Sequence, residues 1–421
     1  MNVLITPTRL SGSITIPPSK SQSHRAIIAA SLSKGKSVIN NVLLSEDVIA
    51  TISAMQKLGV KIVQNNHQLI IQGISRINVA DDNFVDCNES GSTLRFLIPI
   101  LSLSRQKIVI TGKPGLLKRP MTIYEQMFKD RGLFYQQTDK SIIISGSLPS
   151  DNYQIPGNVS SQFISGLLFA LPLQKEDSKI EILGDLESKE YVDMTVSVLK
   201  HFGITIHENG NEYIIPGNQQ YKPAHLTIEG DYSQMAFFAT AGLLGGDIHC
   251  LGMSKHSQQP DQKYLNFVEK MNGRFTWNNS DIVFHHSDTF GTSIDVSQSP
   301  DIAPILAVLG ALSSGTTIIE NAARLKYKES NRLSSTYETL KKMNIEVQMT
   351  DSSLIIEGKN TIDGGVFDSY NDHRIVMAIA IAAIKSNQPV TIKNAEAVNK
   401  SYPTFFHDYQ NLGGNVTFIE E

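Results

Sequence analysis

One arrangement of apolar and polar positions recurs along this chain. A charged helical segment stops at Gly or Asn, a strand follows, then a polar turn and a second strand. The copies are "MQKLGVKIVQNNHQLIIQG", "MFKDRGLFYQQTDKSIIISG", "LKHFGITIHENGNEYIIPG", "VEKMNGRFTWNNSDIVFHH", "LKKMNIEVQMTDSSLIIEG" and "YQNLGGNVTFIEE". Their stop residues, Gly59, Gly132, Gly203, Gly273, Asn344 and Gly414, recur every 70 to 73 residues. Gly and Asn suit the left-handed position that ends a helix. The last copy ends without a closing Gly.

The other half of each unit is shared too. It reads strand, polar segment, apolar helix rich in small residues, strand. The polar segments are "PPSKSQSHR", "NESGSTLR", "GNVSSQ", "GDYSQ", "SQSPDIAP" and "YNDHR". Runs such as "AIIAASL", "MAFFATAGLL" and "IVMAIAIAAI" follow them. Helices apolar nearly all round belong in a core. The second helix of each unit, such as "SNRLSSTYETLKKM", is charged and predicted to be amphipathic and outward. Each unit therefore reads β-α-β-α-β-β. Repeats usually signal solenoids, but a unit with a buried central helix fits a closed prism better. The prediction is an α/β protein of two similar domains, each with three βαβαββ repeats around buried parallel helices. A chain of 421 residues also favours two domains. The boundary falls in "PAHLTIEG", Pro223 to Gly230.

Composition changes this picture little. With 41% hydrophobic and 19% charged residues, the chain reads as globular. A net charge of −4 argues against a general nucleic-acid binder. Cys87 and Cys250 lie in no CxxC or Cys/His cluster, so no structural zinc is expected. Sparse cysteine fits a reducing compartment. The start, "MNVLITPTRLSGS", lacks a signal-peptide pattern. The longest apolar run, Ile375 to Ile384, falls short of the roughly 20 residues of a membrane span. A cytoplasmic protein is expected, without membrane or nucleic-acid partners.

If the buried helices of a domain run parallel, their N-termini collect at one end. Those ends carry unpaired N–H groups and positive partial charge, and bind phosphate and carboxylate. The polar segments lie there. In the first, Lys20 and Arg25 could bind anions and Ser21 could donate a hydroxyl. The plainer reading makes Ser19 or Ser21 an N-cap and leaves the cations solvated. In the second, Gly91 and Ser92 suggest close backbone approach to a ligand. Arg95 opposes the helix dipole, which suggests a buried acid or ligand partner. "GKPGLLKRPMTIY" gathers Lys113, Lys118 and Arg119, with Pro120 opening a helix. Ser160, Ser161 and Gln162 form a neutral hydrogen-bonding cluster, and "DLESKEYVDM" adds Ser188 and Tyr191.

In the second half, Asp301 precedes an apolar helix and reads first as an N-cap. Lys328 and Arg332, four apart, share a helix face beside Glu329, and a solvated salt-bridged face is the plainer reading. Asp372, His373 and Arg374 precede another buried helix. Lys400 precedes a Pro that opens the last one. Together Lys20, Arg25, Arg119, Lys328, Arg332, Arg374 and Lys400 put much positive charge at equivalent helix ends of an acidic protein. That implies small, highly anionic substrates. Neither a Walker A motif nor GxGxxG occurs.

At these residues the sequence resembles the 5-enolpyruvylshikimate-3-phosphate (EPSP) synthases, or 3-phosphoshikimate 1-carboxyvinyltransferases. The matching stretches are "PPSKSQSHR", "SGSTLRFL", "KRPM", "SSQFISGLL", "GDLESKEYVDM", "SPDIAP", "KYKESNRL", "YNDHR" and "NKSYPTFF". They stand in the family's order and span almost the whole chain. "PPSKSQSHR", "KESNR" and "NDHR" are the most specific. The resemblance implies two domains of three βαβαββ units, an inside-out prism with ligands in the interdomain cleft. Residues 17–228 would form the first-half domain, mainly for shikimate 3-phosphate. Residues 1–16 and 229–421 would form the second, supplying much of the phosphoenolpyruvate site.

The implied reaction moves the enolpyruvyl group of phosphoenolpyruvate to the 5-hydroxyl of shikimate 3-phosphate and releases phosphate, on the route to chorismate and the aromatic amino acids. By resemblance, Lys20, Ser21, Arg25, Ser160, Ser161, Gln162, Ser188, Tyr191, Asp301 and Lys328 would bind shikimate 3-phosphate. Lys20, Gly91, Arg119, Gln162, Arg332, Arg374 and Lys400 would bind phosphoenolpyruvate. Such chemistry needs an acid, a base and an anion clamp. Glu329 is the expected proton donor, Asp301 the base at the hydroxyl, and Lys20 a second proton-transfer residue. Cations around Glu329 should lower its pKa unless substrate anions offset them. No metal or organic cofactor is required, and a monomer is expected.

The chain departs from the family pattern at Glu89, where Asn is common, at Ser92 in place of Thr, and at Arg324 in place of Asn. Gly91 is kept where a bulkier residue would crowd phosphoenolpyruvate, so glyphosate sensitivity is expected. The sister transferase acting on UDP-N-acetylglucosamine carries a reactive Cys before the Arg-Pro, and Lys113 to Lys118 has none. A purely anion-binding protein would not need Glu329 and Asp301. Acidic net charge disfavours the RNA-cyclase relatives of the repeat.

Overall fold

The computed structural model describes residues 1–79 and 83–419. The chain forms two compact units, Pro18–Ile228 and Met1–Pro17 with Glu229–Glu421. Each unit has its own hydrophobic core.

Six inner helices carry those cores: α1 (Lys20–Leu32), α2 (Gly91–Ser102), α3 (Ser161–Ala170), α4 (Tyr232–Leu244), α5 (Ala303–Ala311) and α6 (His373–Ala382). Every residue of α4, α5 and α6 is buried, as their all-round apolar patterns predict. Most of these helices begin on a side-chain cap that pairs an orphan N–H of the first turn. Ser19, Ser90, Ser160, Asp231 and Asp372 accept from Gln22, Thr93, Gln162, Ser233 with Gln234, and Arg374 respectively. The α5 helix differs. Asp301 is not its cap but sits inside a single 3-10 turn, Pro300–Ile302, that leads into the helix. Its carboxylate is thereby left for other partners.

Among the described residues there are six sheets of four strands. The sheet of the second repeat shows the plan. Phe84–Asp86 and Ile108–Thr111 pair parallel, which requires a crossover, supplied by α2. Ile142–Ser145 and Phe134–Gln137 then add an antiparallel hairpin. The third repeat follows the same order with Asn152–Pro156, Ser178–Leu183, Glu212–Ile215 and His207–Asn209.

Three sheets depart from a simple reading of consecutive repeats. The sheet of the first repeat begins not with the strand ahead of α1 but with His225–Thr227, parallel to Lys36–Asn40. The strand ahead of α1, Gly12–Thr15, instead pairs parallel with Ile248–Leu251 in the sheet of the fourth repeat. Asn2–Thr6 lies between Val390–Lys393 and Asn415–Ile419. It fills the place of the closing strand that the sixth repeat lacks; that repeat's last residues, 420 and 421, lie outside the described ones.

Some local expectations also shift. The left-handed residue after a helix is Gly59, Gly132, Gly203 or Asn344 as expected, but Asn272 and Gly413 rather than Gly273 and Gly414. Pro120 does not open its helix, since Met121 is the N-cap of Thr122–Asp130. Pro403 likewise precedes Thr404, the N-cap of Phe405–Asn411. Lys328 and Arg332 share no helix face, because Lys328 is extended and the helix starts at Arg332. No helix among the described residues is long and apolar enough to cross a membrane.

Candidate active site

In the unit built on α4, α5 and α6, the N-termini of the three helices meet through side chains. The Arg374 guanidinium, at the start of α6, donates from Nη2 to Ser233 Oγ at 3.0 Å and to Asp301 Oδ2 at 3.2 Å. Ser233 starts α4, and Asp301 leads into α5. Asp301 also receives Lys328 Nζ at 3.0 Å and Arg332 Nη1 at 3.2 Å. Burial opposes ionisation of Asp301, but Lys328, Arg374 and Arg332 outweigh it and hold its pKa well below the usual carboxylate range.

Arg332 is the hub of this cluster. It is 1% exposed and makes ion pairs with Asp372, Glu329 and Asp301. Burial opposes its charge, yet Asp372, Glu329 and Asp301 raise its pKa above the ordinary value. The short bond from Arg332 Nη2 to Glu329 Oε2, 2.5 Å, fixes the carboxylate in place. Lys328 shows the opposite balance: burial lowers its pKa despite Asp301. Lys400, at the end of the 3-10 segment Ala395–Lys400, reaches Asn371 O at 2.5 Å. Asn371 is left-handed, with φ 54°, and that turn aims its carbonyl at the lysine.

The unit built on α1, α2 and α3 holds a second cluster. Arg25 is 2% exposed, and no carboxylate pairs with it among the described residues. It donates to Thr195 Oγ1 at 2.7 Å, Ser21 O at 2.7 Å and Tyr191 O at 3.0 Å, and lies over the Phe96 ring. Burial lowers its pKa to about 10, which still leaves it charged at neutral pH. A buried guanidinium held by neutral groups is prepared for an anion. Ser21 therefore contributes its backbone carbonyl to Arg25. Tyr191 contributes both a carbonyl and a ring, 5.9 Å from the guanidinium. Ser188 stands just before the helix Lys189–His201 in a left-handed conformation, φ 57°, unusual for a non-Gly residue.

At the start of α2, Gln162 of α3 ties two elements together. Its Oε1 accepts from Arg95 Nη1 at 2.7 Å, and its Nε2 donates to Ser92 Oγ at 2.9 Å. Arg95 also lies over the Phe163 ring. Gly91 is packed against cations: a Cβ there would lie 2.6 Å from Arg119 Nη1 and 3.4 Å from Arg95 Nη1. Ser160 caps α3 and Ser161 begins it, so both sit beside Gln162. Glu89 is buried, with Lys113 Nζ at 3.9 Å. Arg324 donates to Ser297 O at 2.6 Å.

Lys20 opens α1 and donates to Asp47 Oδ2 at 2.7 Å. Asp47 carries no functional signal in the sequence. It lies in the first turn of the helix Glu46–Lys57, where acids are ordinary. Thr195 and Ser233 are equally silent, since single hydroxyls within helices carry no signal of their own. Asp372 stands out in sequence only as preceding a buried helix, and it is both cap and ion-pair partner. Among the described residues no group of His, Cys, Asp and Glu is arranged to hold a metal ion.

Residues 4–409 match the family described as EPSP synthase (3-phosphoshikimate 1-carboxyvinyltransferase). The 3-phosphoshikimate 1-carboxyvinyltransferase of Clostridium perfringens is 45% identical over 416 residues, 98% of each chain. That of Clostridium kluyveri is 46% identical over 417 residues, again 98% of each chain. Among solved structures, EPSP synthase from Acinetobacter baumannii superposes with a TM-score of 0.83 at 26% identity, covering 99% of this chain and 100% of that one. The enolpyruvyl transferase NikO from Streptomyces tendae, at 16% identity and a TM-score of 0.81, shares the fold. This chain belongs to the EPSP synthase family.

Proposed function

We propose that the two side-chain clusters carry this family's reaction, each residue in a definite role. The enzyme transfers the enolpyruvyl group of phosphoenolpyruvate to the 5-hydroxyl of shikimate 3-phosphate and releases phosphate. Lys20, Ser21, Arg25, Ser160, Ser161, Gln162, Ser188, Tyr191, Asp301 and Lys328 hold shikimate 3-phosphate. Lys20, Gly91, Arg119, Gln162, Arg332, Arg374 and Lys400 hold phosphoenolpyruvate. The observation that carries the reading is the convergence of Lys328, Arg332 and Arg374 on Asp301. Cations drawn from separate motifs are gathered about one carboxylate beside three helix N-termini, a setting that favours anions.

In the first step the 5-hydroxyl oxygen bonds to C2 of phosphoenolpyruvate, its proton passes to Asp301, and C3 gains a proton from Glu329. In the second, C3 returns a proton to the Glu329 carboxylate as the C2–O bond to phosphate breaks, the Asp301 proton leaves with the phosphate, and the C2=C3 double bond re-forms in the enol ether product. Asp301 alone is a weak base because three cations stabilise its charge. Two bound anionic substrates would compensate those cations and raise its basicity, so proton transfer is tied to substrate occupancy. Lys20, paired with Asp47, is a further proton-transfer residue. The protein acts as a cytoplasmic monomer, without metal or organic cofactor.

The test is phosphate release by folded protein given both shikimate 3-phosphate and phosphoenolpyruvate. Release that requires both substrates is expected. Absence of release with both present overturns the reading.

A further inference from the structure

His24 is fully buried, and the proposed chemistry makes no use of it. Its ring Nδ1 lies 2.7 Å from Thr51 Oγ1. Thr51 Oγ1 lies 2.7 Å from Thr93 Oγ1. The Thr93 hydroxyl donates to Ser90 Oγ at 2.7 Å. All four residues are 0% exposed. The chain of hydrogen bonds joins α1 to the helix Glu46–Lys57 and ends on the N-cap of α2.

Its polarity follows from counting protons. Thr93 gives its only hydroxyl proton to Ser90, so it must accept from Thr51. Thr51 has then spent its proton, so it must accept from His24. His24 therefore carries its proton on Nδ1. Its Nε2 is buried with no hydrogen-bond partner, which suits a bare ring nitrogen better than an N–H. Protonation of that nitrogen would bury an unpaired charge beside Lys20 and Arg25, and burial together with those two cations keeps the ring neutral.

The relay adjoins two residues assigned to phosphoenolpyruvate, Lys20 and Gly91. Lys20 and Asp47 sit one turn before His24 and Thr51 on the same two helices. The helices are thus joined by two polar rungs, Lys20–Asp47 and His24–Thr51. At the far end, Ser90 Oγ also accepts from Thr93 N at 3.2 Å. The next residue is Gly91, packed against Arg119 with no room to spare.

We infer that His24, Thr51 and Thr93 form a directional hydrogen-bond relay that positions Lys20 and Gly91 relative to one another, making His24 a positioning residue for phosphoenolpyruvate. The inference rests on the assignment of Lys20, Gly91 and Arg119 to that substrate. Lys20 is assigned to both substrates but Gly91 to phosphoenolpyruvate alone, so binding of phosphoenolpyruvate suffers more than binding of shikimate 3-phosphate.

The test uses His24→Leu, which removes the donor, and His24→Asn, whose Nδ2–H can take the place of Nδ1–H. Thr93→Val and Thr93→Ser form a second pair. Loss of one buried hydrogen bond corresponds to about fivefold, so His24→Leu and Thr93→Val should raise KM for phosphoenolpyruvate by about that factor or more. KM for shikimate 3-phosphate should rise by a smaller factor than KM for phosphoenolpyruvate, and the Asn and Ser variants should stay within about twofold of the parent. Equal effects in the Leu and Asn variants, or no change of KM in a folded Thr93→Val, overturn the relay. Arg119→Ala serves as control. If it raises KM for phosphoenolpyruvate and the relay variants do not, only the relay fails. If it leaves that KM unchanged, the substrate assignment itself fails. Proton–nitrogen correlation spectra of the unmodified enzyme should show the His24 proton on Nδ1. A proton on Nε2 overturns the polarity even if a Leu variant does not fold.

Discussion

Arg332 and Asp372 hold each other in a two-point ion pair, Nε to Oδ2 at 2.9 Å and Nη2 to Oδ1 at 3.1 Å. Both are essentially inaccessible to water. Asp372 Oδ1 also accepts from the backbone N–H of Arg374, so the same carboxylate caps α6 and anchors the hub of the anion cluster. Fixing the cap and fixing the guanidinium are one structural act.

Asp372→Ala removes both functions and leaves a buried guanidinium short of its best partner. Breaking a buried pair of this kind typically costs roughly 3–5 kcal/mol. Urea denaturation at neutral pH should show a loss in that range. A loss below about 1 kcal/mol, the size of an ordinary capping effect, would mean that the pair adds nothing to the cap.

Gly91→Ala places a methyl group 2.6 Å from Arg119 Nη1, so the guanidinium must move. KM for phosphoenolpyruvate should rise by about tenfold, equivalent to about 1.4 kcal/mol of lost binding. The parent should be inhibited by glyphosate, and inhibition should weaken in the variant. Steady-state kinetics with and without glyphosate decide this, and an uninhibited parent would count against the assignment of Gly91.

Asp301→Asn preserves shape but abolishes the charge that three cations share. A lost general base typically reduces turnover by about 100-fold to 10,000-fold. The fall should appear in kcat, measured by phosphate release at saturating substrates. Turnover within about threefold of the parent would remove Asp301 from the proton-transfer role.

His24 and Asp301 make separate contributions to the pH dependence of stability. Burial, with Lys20 and Arg25, lowers the pKa of His24, so the unfolded chain binds its proton more readily. Its stabilising contribution is complete above about pH 6.5, the unfolded value, and declines as pH falls below it. Asp301 is also lowered in the folded state. Its contribution is complete above about pH 3.9 and is lost only in stronger acid. Denaturation midpoints should therefore fall less steeply between about pH 6.5 and 5 in His24→Asn than in the parent. Asp301→Asn should leave that slope unchanged.

Much of the fold was legible because its signals are local. All-round apolar runs marked α1 to α6, and the six stops marked helix ends to within one residue. The shifts at Asn272 and Gly413 are small for a physical reason: two adjacent small or polar residues can each adopt the left-handed conformation. The family motifs pointed to Lys20, Arg25, Arg119, Lys328, Arg332, Arg374 and Lys400 as a cationic set. Sequence did not pair them with Asp47, Thr195 or Asp372. Nor did it reveal that Lys328 lies outside the helix of Arg332, because four-residue spacing implies a shared face only where the backbone is helical.

The sequence by itself determined the repeat, the buried helices and the inventory of cations. These depend on periodicity and on side chains within a few positions of one another. Tertiary structure alone decided the strand partners: His225–Thr227 completes the first repeat's sheet, Gly12–Thr15 the fourth's and Asn2–Thr6 the sixth's. It also decided that Asp301 faces three cations and that His24 reaches Ser90 through two threonines. An alternating strand specifies which face is buried but not which edge it joins, and a charged side chain specifies its sign but not its partner. Both choices are fixed only when distant segments pack together and each buried polar group must be satisfied.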